Sequence, residues 1–111
     1  NALRIAQGAD LVIVSSYIGA ATNTANMKPT AGLPELLSGL RAANTKVLLT
    51  SFNNPYLQLG LPLTEAHMLA WSPWTMSQRA AARALLGRAP ITGKLPIALP
   101  GVANFGDGLT R

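Results

Sequence analysis

The chain has 111 residues and contains no cysteine, one histidine and four acidic residues. Without cysteine it can form no disulfide, no thiolate metal site and no cysteine nucleophile. With one histidine and so few carboxylates, we expect no metal site, and we predict no cofactor. Long apolar runs are also missing, because none approaches the roughly 20 residues that a membrane-spanning helix needs. We therefore expect no membrane partner.

A phosphate-binding loop is suggested by the glycines of residues 87–94, but the spacing is wrong. That loop requires the pattern Gly-x-x-x-x-Gly-Lys-Ser/Thr at the start of a helix. Here five residues separate Gly87 from Gly93, and leucine follows Lys94. A nucleotide cofactor is therefore not predicted.

Basic residues outnumber acidic ones, and nine Lys and Arg give a net charge of +5. A basic balance raises the prospect of a nucleic-acid partner. The basic residues are scattered, however, and only Arg79 and Arg83 share a helix face. The few aromatic residues do not alternate with them as in a base-stacking surface. We expect no nucleic-acid partner, and a basic nucleic-acid-binding domain stays as an alternative that salt-dependent binding would reveal.

Apolar runs that end in polar residues predict three buried strands. Successive β-branched residues and leucines are typical of a strand covered on both faces, as in parallel sheets. Such runs occupy residues 10–17, 46–52 and 65–71. Residues 95–99 can form only an edge strand or an extended arm, because Pro96 cannot donate to a sheet ladder.

Helical spacing of apolar residues predicts one helix over residues 33–44 and another over residues 76–86. Gly87 suits the left-handed end of the second helix. At the start of that helix, Ser72 and Thr75 are rival candidates for the N-cap.

The alternation of strands and helices predicts an α/β fold with right-handed crossovers. We expect a three-layer sandwich with a mostly parallel sheet of about four strands and flanking helices. We interpret residues 1–111 as a single domain and, because four strands are few, as a C-terminal fragment of a larger protein. Asn1 and Ala2 are interpreted as an expression remnant. A cut domain exposes apolar surface, which favours self-association.

Candidate binding residues follow the three predicted strands, since ligands of open α/β sheets lie beyond the carboxyl ends of the strands. Polar and aromatic side chains at these ends suit a surface that touches a sugar or a neighbouring domain. Turn formation is the alternative role for the polar residues, and burial in an interface is the alternative for the aromatic ones. The candidates are Ser16, Tyr17, Asn53, Asn54, Tyr56, Trp71, Ser72 and Trp74.

No catalytic residue is predicted. Glycoside hydrolysis usually requires two carboxyl groups that flank the bond. Asp10 and Glu65 precede strands, on the edge opposite the candidate residues, while Glu35 opens a helix and Asp107 lies in the tail. His67 lies within an apolar strand and is interpreted as a core or interface residue.

Six segments, in this order, resemble the second, α/β-sandwich domain of glycoside hydrolase family 3. They are an Ala-Asp-apolar strand, an Asn-Pro-Tyr turn, the two parts of a final helix region, a Gly-basic-Leu-Pro-apolar signature and a glycine-rich tail. They occupy residues 9–14, 51–56, 69–72, 78–87, 93–101 and 105–109. The tail resembles that of β-N-acetylglucosaminidase-like members. One departure is Asn53, which stands where the family pattern has glycine; asparagine tolerates the left-handed backbone region.

The resemblance implies a retaining exo-acting β-glycosidase whose nucleophilic aspartate lies on a preceding (β/α)8 barrel. In β-glucosidase-like members the second domain supplies the acid/base glutamate, whereas in β-N-acetylglucosaminidase-like members a barrel loop supplies the acid/base. No glutamate here has a matching context, so the second arrangement fits better. The chain would then be a non-catalytic partner of the barrel that shapes the sugar pocket, inactive on its own. The compartment stays open between cytoplasmic and exported.

A different class of function is also open at this point. A stand-alone, flavodoxin-like module would hold a small ligand at the three strand ends, without any barrel. A complete domain that is stabilised thermally by a small ligand would favour it.

Overall fold

The structure is a computed structural model and describes residues 2–19 and 31–110. Strands and helices alternate along the described chain. In order, the elements are α1 (Ala2–Ala6), β1 (Leu11–Ser16), α2 (Leu33–Ala42), β2 (Lys46–Ser51), a 3₁₀ helix (Pro55–Gly60), β3 (Ala66–Leu69) and α3 (Thr75–Leu85). Within these ranges no helix has the length and apolar character of a membrane-spanning segment.

The three strands form one parallel sheet in the order β1-β2-β3. Ser16, at the end of β1, lies opposite Ser51 of β2, and Ser51 lies opposite Leu69 of β3. The carboxyl ends of all three strands therefore meet at one edge of the sheet. The predicted α/β class with a parallel sheet and flanking helices is confirmed.

The core lies between the sheet and α2. Because side chains alternate along a strand, Val47 and Leu49 of β2 share one face. Val47 packs with Leu37 and Leu40 of α2, and Leu3 of α1 lies against the same cluster. This packing fixes α2 across the sheet and sets the position of the strand ends.

α2 begins with Pro34 and Glu35 in its first turn, as the sequence indicated. Proline loses nothing there, since the first helical N–H groups have no partner within the helix. The carboxylate of Glu35 is favourable beside the positive end of the helix dipole. The helix therefore begins for local reasons and is held by its buried leucines.

Residues 95–99 form an extended arm and not an edge strand, which were the two predicted possibilities. The described sheet has three strands, and Leu99 makes only an isolated antiparallel bridge with Ala103. Pro96 accounts for this, because it has no N–H to offer a neighbouring strand. The backbone is held instead by Leu95, whose N–H donates to the Asp107 carbonyl at 2.8 Å and whose carbonyl accepts from Gly106 at 2.8 Å.

α3 ends as predicted but begins differently. Gly87 has φ of 68°, the left-handed conformation that ends a helix and that glycine adopts without steric cost. Both N-cap candidates, Ser72 and Thr75, are wrong, because the N-cap residue is Trp74 and no side chain caps the helix. The Ser72 hydroxyl is used elsewhere, since it lies 3.0 Å from the Ser77 hydroxyl and accepts from the Trp74 N–H at 3.3 Å.

Candidate functional site

One group of candidate side chains lies where β1 and β2 end. The Phe52 N–H donates to the Ser16 carbonyl at 2.9 Å, so the parallel ladder continues one residue past β2. The Tyr17 ring stacks on the Phe52 ring, with centroids 4.8 Å apart and planes inclined by 4°. Ser16 is buried, whereas half of Tyr17 is exposed. The structure thus presents one face of a tyrosine held in place by a buried phenylalanine.

Asn53 joins this first group through a close approach to Gly19. A Cβ atom at position 19 would lie 3.2 Å from the Asn53 Nδ2 atom. A side chain at position 19 would therefore push the Asn53 amide aside. The glycine leaves space for an amide beside Tyr17, and sequence reasoning had assigned no role to this glycine.

Asn54 is buried and starts the 3₁₀ helix. Its Oδ1 accepts from the Tyr56 N–H at 2.9 Å, which caps the helix and places Tyr56 in its first turn. The Asn54 Nδ2 has no hydrogen-bond partner within the described residues. A buried donor left unpaired costs about 1–3 kcal/mol, so a buried water at this position would stabilise the fold. Asn54 therefore forms the turn through its Oδ1 atom, while its Nδ2 donor has no partner within the described residues.

The second group lies where β3 ends. The Ala70 N–H donates to the Ser51 carbonyl at 2.9 Å, which extends the ladder by one residue, and the Ser72 N–H then donates back to the Ala70 carbonyl at 2.7 Å. Trp71 lies at the centre of this three-residue turn with φ of 60°. A bulky residue with positive φ is strained and is often found at a functional site. Trp71 and Trp74 are both exposed.

Two acidic side chains, Glu65 and Asp107, make structural hydrogen bonds to the backbone. The Val47 N–H donates to Glu65 Oε2 at 2.6 Å, at the opposite edge of the sheet. That hydrogen bond lowers the pKa of Glu65, and the positive charges of Arg41 and Lys46 lower it further. Asp107 Oδ2 accepts from the Asn104 N–H at 2.7 Å and holds the tail loop. Within residues 2–19 and 31–110, no three acidic or histidine side chains cluster as metal ligands would.

Ser51 of β2 and His67 of β3 form a side-chain pair that the sequence did not predict. Ser51 Oγ lies 2.9 Å from His67 Nε2, on the face of the sheet that carries Leu49. Burial lowers the pKa of His67, because desolvation disfavours the imidazolium form. The distance is that of a nucleophile and its base, but Ser51 is only 2% exposed, so no substrate can reach its hydroxyl. We interpret the pair as a structural link between β2 and β3.

Two cavities border the sheet at opposite edges. One of about 630 Å³ lies between the end of β1 and the start of α2 and is lined by Ser16, Tyr17 and Glu35 among other residues. The other, of about 230 Å³, lies at the amino end of β2 and is lined by Arg41, Thr45 and Glu65 among others. The larger cavity is therefore the one that adjoins the candidate residues.

The strain at Trp71 can be measured by two substitutions that both remove the indole. We expect Trp71→Gly to be more stable than Trp71→Ala by about 1 kcal/mol, since only glycine adopts positive φ without a clash. Urea unfolding followed by circular dichroism measures the difference. At Ala70, where φ is not positive, Ala70→Gly should instead lower stability by about 0.5–1 kcal/mol. Equal stability of the two Trp71 variants would contradict the strained backbone.

The fold is an α/β domain with aromatic and amide side chains at the carboxyl ends of its strands, and Glu35 lines the cavity beside them. Comparison of the chain with protein-family models, with curated proteins and with solved structures finds no match.

Proposed function

We propose that this chain is the C-terminal, non-catalytic domain of a retaining exo-acting β-glycosidase, closer to β-N-acetylglucosaminidases than to β-glucosidases. It packs on a (β/α)8 barrel of the same protein and forms one wall of the sugar pocket. The enzyme as a whole hydrolyses O-glycosyl bonds, and this domain alone does not. The proposal combines the order of the sequence segments with the chemistry of the sheet edge.

One observation carries the proposal: the carboxyl edge of the sheet offers aromatic faces and an amide group, and Glu35 is the one acidic side chain of the described residues that lines the cavity beside Ser16 and Tyr17. Tyr17 and Trp71 are both exposed there. The Tyr17 ring is held by stacking on Phe52, and the Trp71 backbone is held by a tight turn. Aromatic rings present an apolar face suited to the apolar face of a pyranose, and the amide of Asn53 suits its hydroxyl and acetamido groups. With a single carboxylate beside it, such an edge binds and orients a sugar but lacks the pair of carboxyl groups that cleaves the glycosidic bond.

The positions of the carboxylates also support a role in sugar binding for this domain and catalysis by the barrel. Retaining glycosidases need a nucleophilic carboxylate and an acid/base group about 5–5.5 Å apart. Glu65 is held at the other edge by the Val47 N–H, and Asp107 is held within the tail loop. Glu35 lines the larger cavity, but no second carboxylate of the described residues lines it, so we place the catalytic pair on the barrel.

A small-ligand module without a barrel is the second candidate function. It is favoured by the cavity of about 630 Å³ between β1 and α2, which has the volume of a typical small-molecule site. In this case the ligand would contact Ser16 and Glu35 rather than Trp71.

A titration of the ¹⁵N-labelled chain with N-acetylglucosamine tests the proposal and separates the two candidates. The chain has two tryptophans, so its two indole N–H signals are easily assigned with one variant. We expect the Trp71 indole and the Asn53 amide to shift, with a dissociation constant on the order of 1 mM. Glucose should cause smaller shifts, and Trp71→Ala should remove the response while the fold is retained.

Three results would contradict the pocket-wall role. The first is no shift at Trp71 or Asn53 at saturating sugar. The second is a response confined to Ser16 and Glu35, which would favour the small-ligand module. The third is clear hydrolysis of an aryl β-N-acetylglucosaminide by the pure chain, which would require a catalytic pair that we place on the barrel.

A further inference from the structure

Ser51 is the residue through which β2 holds the carboxyl end of β3. Its Oγ atom lies 2.9 Å from Nε2 of His67, and its carbonyl accepts from the Ala70 N–H at 2.9 Å. The Ala70 carbonyl in turn accepts from the Ser72 N–H at 2.7 Å, which closes the turn around Trp71. One residue of β2 therefore contacts both the His67 ring and the backbone that leads into that turn.

Short length and exposure make this end of β3 easy to open. β3 is an outer strand of four residues, Ala66–Leu69, and all four are exposed or partly buried. Trp71 follows closely with φ of 60°, a strained conformation for a bulky residue. Local opening in proteins begins where few groups are buried, so a short outer strand before a strained turn opens more readily than the central strand β2.

The contact between His67 and Ser51 suits a neutral imidazole. Ser51 is 2% exposed and His67 is partly buried, so a charge on the ring would be poorly solvated. Burial accordingly lowers the pKa of His67 from its ordinary value of 6.5. The Nε2 atom of a neutral ring can accept or donate a hydrogen bond, whereas that of an imidazolium can only donate. A proton on His67 therefore favours water around the ring over its place beside Ser51.

No charged side chain of the described residues offsets this effect of burial. Lys46 begins β2 at the opposite edge of the sheet, Arg41 lies on α2, and Glu65 directly precedes β3. None of the three contributes to the lowered pKa of His67, which burial alone explains. Protonation of the ring thus meets no carboxylate that would hold the charged form in place.

The amino end of β3 is held by a different acid–base group. The Val47 N–H donates to Glu65 Oε2 at 2.6 Å, and this hydrogen bond lowers the pKa of Glu65 from its ordinary value of 4.5. Glu65 therefore stays ionised in the range of pH where a histidine takes up its proton. Between about pH 6.5 and about pH 4.5, acid acts on the carboxyl end of β3 and leaves the amino end in place.

We propose that protonation of His67 separates the carboxyl end of β3 from β2 and releases the turn at Trp71, so that this part of the fold is a switch for mild acid. The opened form binds the proton more tightly than the closed form. Opening is therefore favoured as pH falls below about 6.5, and the effect is complete once pH lies below the pKa that His67 has in the closed form. The switch requires no ligand and is independent of sugar binding.

Amide hydrogen exchange of the ¹⁵N-labelled chain between about pH 7.5 and about pH 5 tests the switch. His67 is the one histidine of the sequence, so its ring signals report the proton directly. As they titrate, the protection factor of the Ala70 amide, which corrects for the intrinsic effect of pH on exchange, should fall about fivefold or more. The Trp71 indole signal should move with the same midpoint. The Val47 amide, which Glu65 holds, should keep its protection.

His67→Gln separates this switch from a general loss of stability in acid. Glutamine keeps a hydrogen-bonding group near Ser51 but does not titrate, so the variant should lose the pH dependence of protection at Ala70. Constant protection at Ala70 while His67 titrates overturns the proposal. An equal loss at Val47 also overturns it, since the whole fold would then open. So does an unchanged pH dependence in His67→Gln, and if that variant fails to fold, the two results on the unchanged chain decide.

Discussion

Phe52→Ala is expected to lower the free energy of unfolding by about 3–5 kcal/mol, the usual cost of deleting a buried aromatic side chain. Phe52 is 4% exposed and follows β2 directly. Its loss leaves a cavity and also removes the surface on which the Tyr17 ring stacks. Urea unfolding measures the loss, and the Tyr17 ring signals should broaden or move in the same variant.

Phe105→Ala is the matched control for this prediction. Phe105 is 75% exposed in the tail loop, so removing its ring should change stability by less than about 0.5 kcal/mol. If both phenylalanine variants lose similar stability, Phe52 is not the packed support of the site. If Phe52→Ala is destabilised while Tyr17 is undisturbed, the stacking has no role in positioning the tyrosine.

Leu40→Ala is expected to lower the free energy of unfolding by about 2–5 kcal/mol. Leu40 of α2 is fully buried and packs with Leu37 and Val47, so its removal opens a cavity between α2 and the sheet. The cost depends on how far α1 and α2 can collapse into that cavity. Thermal and urea unfolding measure it, and the two transitions should remain cooperative.

Leu63→Ala removes the same atoms from an exposed loop and is the control for Leu40→Ala. It should change stability by less than about 0.5 kcal/mol. A small effect at Leu40 would mean that α2 is not packed on β2 as described. The central sheet would then lack the support that aligns the strand ends.

Strand and helix positions were predictable because each depends on a local pattern. The apolar run after Lys46 predicted a strand over residues 46–52, and β2 spans Lys46–Ser51. Helical spacing predicted a helix over residues 76–86, and α3 spans Thr75–Leu85. These patterns are strong because burial of one face or both faces of an element fixes its period.

Features that depend on contacts between distant residues were not predictable. Ser72 and Thr75 both have N-cap chemistry, yet Ser72 contacts Ser77 and the cap falls on Trp74. Trp71 has a positive φ, which no sequence pattern predicts because tryptophan rarely adopts that conformation. The strain arises because a hydrogen bond from the Ser72 N–H to the Ala70 carbonyl closes a tight turn around Trp71.

The sequence predicted the main residues of the candidate site but not the residues that hold them in position. Tyr17, Asn53 and Trp71 follow strands, so the rule for α/β sheets places them at one edge. Phe52 and Gly19 were missed, although they hold the Tyr17 ring and leave space for the Asn53 amide. A large apolar residue at the last position of the predicted strand, residues 46–52, is the signal that would have found Phe52.

The most direct test of the proposed sugar-pocket wall is the indole signal of Trp71 during titration with N-acetylglucosamine. We predict a saturable shift at Trp71 that is larger than the shift caused by glucose, with no hydrolysis of an aryl β-N-acetylglucosaminide in the same sample. An unchanged Trp71 signal at saturating sugar, or turnover by the chain alone, would contradict the account.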